Sequence, residues 1–428
     1  MAHKLNSSNP DFVERFEEFL RLRDSYEEDI SSTVREIIAT VRADGDAALF
    51  ALTEKFDRLK LTHEKMRITE ADFQKARKAC GRKTLSALKH AAKRIQSYHK
   101  KQLPKDAQYR DRSGVLLGWR WTPIDAVGLY VPGGTASYPS SVLMNAIPAQ
   151  VAGVKRLAMV VPTPDGKVNP AVLAAAEIAG ITEIYPIGGA QAVAALAYGT
   201  KSIKPVDKIV GPGNAFVAEA KRQVFGKVGI DMIAGPSEIL VIADNTNDPD
   251  WIAADLLSQA EHDKKAQSIF ITDDEIFAAK VEKSVETILA ILERFEIARS
   301  SWRNYGAIII VKDLNEAAQL VNRIAPEHLE LAVQDAEKLS RQITHAGAIF
   351  LGSHTPEAIG DYIAGPSHVL PTSGTARFSS GLSVYDFMKR SSLMSCTQAA
   401  IKKIGGDAAT LAKSEGLGAH ELSITLRL

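Results

Sequence analysis

Cysteine is almost missing. Only Cys80 and Cys396 occur in 428 residues, in no CxxC pattern and with no histidine alongside. That excludes a disulfide framework and a thiolate zinc site, and it fits a reduced, cytoplasmic chain. Any metal is left to histidine, carboxylate and amide ligands. Neither sign of charge dominates: 52 Lys and Arg against 51 Asp and Glu leave a net charge of +1. A balance so even removes the electrostatic argument for nucleic acid or an acidic membrane as partner. No apolar run reaches the ~18 residues of a membrane-spanning helix. Residues 1–20 alternate charged and apolar side chains and hold no signal-peptide core, so export is not expected. What is present is ordinary for a soluble globular protein, 45% hydrophobic and 24% charged. At ~150 residues per domain the length suggests two or three domains.

From Asp11 to Gln102 the pattern is helical, with stripes such as Val34, Ile38 and Val41 interrupted by Asp44-Gly45-Asp46. At Ala126 the texture changes to short apolar runs followed by turns and helices of ten or so residues. Residues 126–131, 156–161, 183–187 and 208–210 read as strands, and the pattern resumes at 237–243, 268–272, 307–311 and 348–351. Strands alternating with helices predict parallel sheets with right-handed crossovers, one unit over about 126–238 and another over about 239–380. The last fifty residues read as short helices and loops, an arm suited to packing elsewhere.

Three segments put glycine where a strand ends and a helix begins: Gly133-Gly134, Gly188-Gly189 and Gly211-Pro212-Gly213. None spells GxGxxG. One reading is a dinucleotide pyrophosphate site, since glycine admits a close anion to a helix N-terminus; the other is that such turns simply need glycine. Tyr130, Gln191 and Asn214 lie on these loops, with side chains suited to contacting a cofactor. Residues 251–262 predict a helix with Asp248 as N-cap and Pro249 in its first turn. Gln259 and His262, three apart, share one face and can reach one cation, unless this is only a solvated helix end. Glu327 and His328 follow the helix breaker Pro326, either as an acid–base pair aimed by the loop or as a polar loop end. Glu357 begins a short helix that carries Asp361 and ends at Gly365, with His368 just beyond; Glu415 and His420 offer a further carboxylate and imidazole near the C-terminus.

These motifs converge on one family. The run IDMIAGPSE at 230–238, continued by AADLLSQAEH at 253–262, closely resembles the signature of the histidinol dehydrogenases. So do VGLYVPGG at 127–134, IVGPGN at 209–214, PEHLE at 326–330, HVLPTSGTARFSS at 368–380 and EGLGAH at 415–420. The resemblance implies a zinc-dependent enzyme that oxidises L-histidinol to L-histidine through L-histidinal and reduces two NAD, the last steps of histidine biosynthesis. It places zinc on Gln259, His262, Asp361 and His420, one ion per subunit, and makes Glu327 and His328 the acid–base pair. Ser237, His368 and Glu415 then contact substrate, together with His328 and the metal-bound residues, and Tyr130, Gln191 and Asn214 contact NAD. The family forms homodimers with intertwined subunits, so the tail bearing Glu415 and His420 is expected to complete the partner's site. One departure is Ser367, where asparagine is more usual before the histidine.

The expected fold is α/β: two incomplete Rossmann-like units with parallel sheets, plus helical N- and C-terminal extensions. Its expected division is an N-terminal helical arm over 1–25, a metal and acid–base domain from 26–125 with 239–381, an NAD domain over 126–238 and a helical tail over 382–428. A homologous zinc and NAD dehydrogenase acting on another small polar alcohol is the rival reading, and a non-catalytic NAD- or metal-binding protein is the third. Keeping both Glu327 and His328 argues against the last, because binding alone needs neither.

Overall fold

The computed structural model describes residues 2–22, 30–133 and 138–428; Gly134 of the first glycine loop lies outside them. Two parallel sheets dominate. The larger runs, edge to edge, His3–Asn6, Ala307–Ile310, Gln267–Thr272, Glu238–Ala243, His328–Ala332 and Ala348–Leu351. The smaller runs Glu183–Tyr185, Arg156–Val160, Ala126–Tyr130, Lys208–Val210 and Gly229–Ile230. Leaving aside the added edge strand His3–Asn6, each sheet has the strand order 3-2-1-4-5 within its own unit, the doubly wound nucleotide-binding order without its sixth strand. The inner strands are mostly apolar because both sheet faces are covered. Val127, Leu129 and Val131 face one layer and Tyr130, Ala158 and Val160 the other. Among the described residues no helix is long and apolar enough to cross a membrane.

The packing of the first hundred residues differs from the expected grouping. Val34, Ile38, Val41 and Leu49 share a core with the helix Gly189–Tyr198, and Phe73, Leu88 and Ile95 share one with Pro139–Ala152. The helices between 31 and 100 therefore cover the smaller sheet, not the larger one with which 26–125 was grouped. An amphipathic stripe shows that a helix buries one face, but not which sheet receives it.

Both ends of the chain also carry strands. His3–Asn6 extends the larger sheet before the helix Phe12–Arg21 lays Phe12, Phe16 and Phe19 against it. Each ring so buried contributes roughly 1.5–3 kcal/mol. In the tail, Met388–Ser395 pairs antiparallel with Leu116–Pro123 along its full length, and Ala107–Arg110 flanks the latter. Two helices, Gln398–Ser414 and Gly418–Thr425, follow. Four-residue HKLN and polar MKRSSLMS carry too little alternation to read as strands, and their pairing is decided by a distant partner.

Candidate active site

In the smaller sheet the glycine loops lie at the carboxyl ends of the strands, around the switch point between Ala126–Tyr130 and Lys208–Val210, where open α/β sheets bind ligands. A Cβ on Gly211, whose φ is 110°, would collide with the Tyr130 carbonyl, so only glycine fits there. A buried ion pair, Lys221 with Asp231, clamps this turn: Lys221 Nζ donates to Gly211 O at 3.0 Å, and Asp231 Oδ2 accepts from Gly211 N at 2.7 Å. Neither residue stood out in the sequence, because each is one charged residue among many until the fold buries it. Tyr130 is itself buried, which pushes its hydroxyl up to about 12, and it accepts from Gly189 N at 3.0 Å. Gln191 is buried beside Gly189, while exposed Asn214 caps the helix Ala215–Val224 through Val217 N.

In the larger sheet the candidate residues lie at the opposite, amino ends of the neighbouring strands Glu238–Ala243 and His328–Ala332. The switch-point crevice at the carboxyl ends is closed by side chains: Asn247 Nδ2 donates to Ala332 O at 2.6 Å, and Asp244 Oδ2 accepts from Gln334 N. At the amino ends, parallel pairing sets His328 beside Ile239. Ala325, at φ 50°, ends the helix Leu314–Ile324 and turns the chain so that Glu327 immediately precedes, and His328 opens, the strand His328–Ala332. Both are buried. Glu327 Oε2 accepts from Glu238 N at 2.9 Å, and His328 Nδ1 lies 3.0 Å from Glu238 O. Gln259 Nε2 also lies 3.1 Å from Nδ1; the carbonyl is the nearer of the two and can only accept, and a proton on Nδ1 leaves Nε2 as the base of the neutral ring.

The helix Pro249–Ala260, capped by Asp248 as expected, brings Gln259 to this edge with no exposed surface. His262 follows one turn later, just beyond the helix; burial pushes its imidazole down, opposed by the Asp361 carboxylate. The segment Glu357–Ile359 passes into a wide turn, Gly360–Ala364, of the kind that often marks functional sites. It sets Asp361 Oδ1 3.6 Å from His328 Nε2 and 3.9 Å from His368 Nδ1. His368 Nδ1 donates to Asp361 O at 3.0 Å, and its Nε2 meets Ser141 Oγ at 3.1 Å, on a helix of the smaller-sheet unit. Ser367, buried, accepts from Val369 N at 3.2 Å and so shapes the turn behind that histidine. Ser237 lies half-buried at the same edge.

Glu357, read from the sequence only as the start of a helix, proves central. Its Oε1 accepts from Gln259 Nε2 at 3.0 Å and lies 3.7 Å from His328 Nε2. Ligand atoms of His328, Glu357 and Asp361 all fall within 4.8 Å of one another, a geometry able to hold a cation. Of the expected metal set, Asp361 belongs to this cluster and Gln259 joins it through Glu357. His262 is near enough to feel the Asp361 carboxylate but is not one of the three. Glu415 and His420 do not belong to it: both are exposed on the tail. Two buried atoms, Gln259 Oε1 and His328 Nε2, have no hydrogen-bond partner. Such orphans are costly unless a ligand satisfies them. An amide oxygen, an imidazole and a carboxylate are ligand types that suit zinc.

Electrostatics match this picture. Burial pushes the Glu327 carboxyl up to about 8 and the Glu357 carboxyl up to about 7. Burial would depress His328, but Glu357, Glu327 and Asp361 outweigh it and hold the imidazole well above its ordinary range. Behind them, burial raises Asp255 to about 6 and Glu330 well above its usual value, a further buried carboxylate pair that the sequence did not reveal.

A family model for histidinol dehydrogenase matches residues 21–428. The histidinol dehydrogenase of Ruegeria pomeroyi is 60% identical over 428 residues, all of this chain and 99% of that protein. The chain belongs to the histidinol dehydrogenase family. That of Bradyrhizobium diazoefficiens is 59% identical over the same span and 99% of its own length. The crystal structure of histidinol dehydrogenase from Elizabethkingia anophelis matches with a TM-score of 0.95 at 36% identity, over 100% of this chain and 98% of that one. As a member of the histidinol dehydrogenases the chain is an oxidoreductase, and its two parallel sheets are those of the family's α/β fold.

Proposed function

We propose that the chain is a cytoplasmic, zinc-dependent and NAD-linked enzyme that oxidises L-histidinol to L-histidine through L-histidinal in histidine biosynthesis. The observation that carries this reading is the buried pair Glu327 and His328 beside buried Gln259, whose Nε2 lies 3.1 Å from His328 Nδ1, with Gln259 Oε1 and His328 Nε2 both left without a partner. Gln259, His262 and Asp361 would hold zinc, with His420 from a partner subunit, and the glycine loops with Tyr130, Gln191 and Asn214 would hold NAD. Zinc in this site would orient the imidazole and amine of the substrate and offset the carboxylate field on His328, while NAD accepts the hydride.

This chain's own residues do the rest. His328, its Nδ1 proton engaged by Glu238 O, takes the alcohol proton at Nε2. Glu327 takes a proton from water as that water adds to the aldehyde. His368, Ser237 and the partner's Glu415 position the substrate, and holding the aldehyde in place between the two oxidations prevents its loss to solvent. Both cysteines are free thiols, as suits the cytoplasm.

The assay is NADH formed per L-histidinol consumed, with and without a zinc chelator. Two NADH, abolished by chelation and restored by zinc, are expected; turnover of a different alcohol but none of L-histidinol would replace this reading with its rival. Glu327 must lose its proton to serve as a base, so L-histidinal oxidation rises as the pH climbs through about 8. Glu327→Gln removes that rise and impairs aldehyde oxidation more than alcohol oxidation. Equal losses with L-histidinol and L-histidinal supplied separately would reassign the residue.

A further inference from the structure

We infer that Glu357 is a positioning residue for the metal: it sets which end of the Gln259 amide faces the site. The inference rests on the zinc reading above. An amide has an oxygen that accepts and a nitrogen that donates, with nearly the same shape, so its neighbours choose its orientation. Around Gln259 two acceptors choose one way, against a single donor, His328 Nδ1, which lies 3.1 Å from Nε2 and whose proton is already engaged by Glu238 O. Nε2 donates to Glu357 Oε1 at 3.0 Å and lies 3.5 Å from the Glu238 carbonyl, two groups that accept. Turned over, the amide would set its oxygen against both. The observed orientation leaves Oε1 buried, without a partner, and available to a cation.

Glu357 is rigid enough for this task. Its Oε2 accepts from Ser258 Oγ at 3.3 Å, and its backbone N donates to the Glu330 carboxylate. Ser258 and Gln259 are neighbours on one helix turn, so the carboxylate grips the end of that helix at two points. A glutamine at 357 could present an NH₂ as readily as an oxygen, and Gln259 could then turn its own oxygen away.

The test is zinc affinity, measured by chelator competition on the full-length protein, for wild type, Glu357→Gln and the exchanged pair Gln259→Glu with Glu357→Gln. The exchange makes residue 259 an all-acceptor ligand and residue 357 its donor. Glu357→Gln is expected to bind zinc about 10–100-fold more weakly, the usual effect of losing a partner that orients a ligand. The exchanged pair is expected to recover most of that loss, with the melting temperature of the zinc-free protein tracked alongside. A merely structural role would lower the zinc-free melting temperature in both variants and give no recovery in the pair. Zinc affinity of Glu357→Gln within threefold of wild type overturns the inference, as does a folded exchanged pair that binds no more tightly than the single variant. If Glu357→Gln alone fails to fold, the exchanged pair decides by itself: affinity within tenfold of wild type supports the inference, and weaker binding overturns it. Failure of the wild type to bind zinc overturns the zinc reading instead, and is seen before any variant is compared.

Discussion

His328→Asn lowers kcat for L-histidinol oxidation by about 10²–10⁴-fold, the range in which a positioned base contributes. Asparagine is a stringent replacement at this position. Its NH₂ can still donate to Glu238 O, as Nδ1 does at 3.0 Å, so the strand edge keeps its hydrogen bond. What it lacks is a basic nitrogen where Nε2 lies, 3.6 Å from Asp361 and 3.7 Å from Glu357. The loss is therefore expected in kcat, with zinc content near that of wild type. Steady-state kinetics with metal analysis of the same preparation check both. A variant that keeps a tenth of the wild-type rate would show that another group takes the proton.

Mixing two inactive proteins restores activity. His328→Asn subunits and His420→Ala subunits are each dead as homodimers if the tail of one subunit completes the other's site. In a mixed dimer, one site collects both substitutions and the other collects neither. Random pairing of equal amounts then gives about a quarter of the wild-type activity per subunit. His328 is buried in the core of its own chain, whereas His420 is exposed on a tail whose two last helices and their ends leave Leu411, Leu417, Leu422 and Leu426 uncovered at 63%, 42%, 56% and 75%. Apolar surface of that extent on a tail is suited to a second copy of the chain. Activity that stays at zero after co-expression, with mixed dimers verified by mass, would mean that the tail serves its own subunit or that no dimer forms a shared site.

The family was legible because its motifs are local. IDMIAGPSE and AADLLSQAEH sit in short, unbroken stretches, and helix-cap chemistry at Asp248 and Pro249 needs only neighbouring residues. For the same reason the parallel strands 238–243 and 267–272 could be read, being apolar on both faces. Glu357 was the residue underread. Nothing in Thr-Pro-Glu distinguishes a helix-starting glutamate from one that grips a ligand, since the difference lies in Gln259, 98 positions away.

By itself the sequence determined the alternating strands and helices of the two α/β units, the exclusion of thiolate metal chemistry and the family, all of which depend on composition or on residues close along the chain. Only the tertiary structure decided that the helices over 31–100 cover the smaller sheet, that HKLN is an edge strand, and that Glu327 and His328 lie at the amino ends of the larger sheet. It also decided which amide oxygen is left bare. Each of these is a relation between segments far apart in the chain. Burial, strand pairing and the orientation of an amide are set by whatever the fold brings alongside, and a linear pattern does not contain that neighbour.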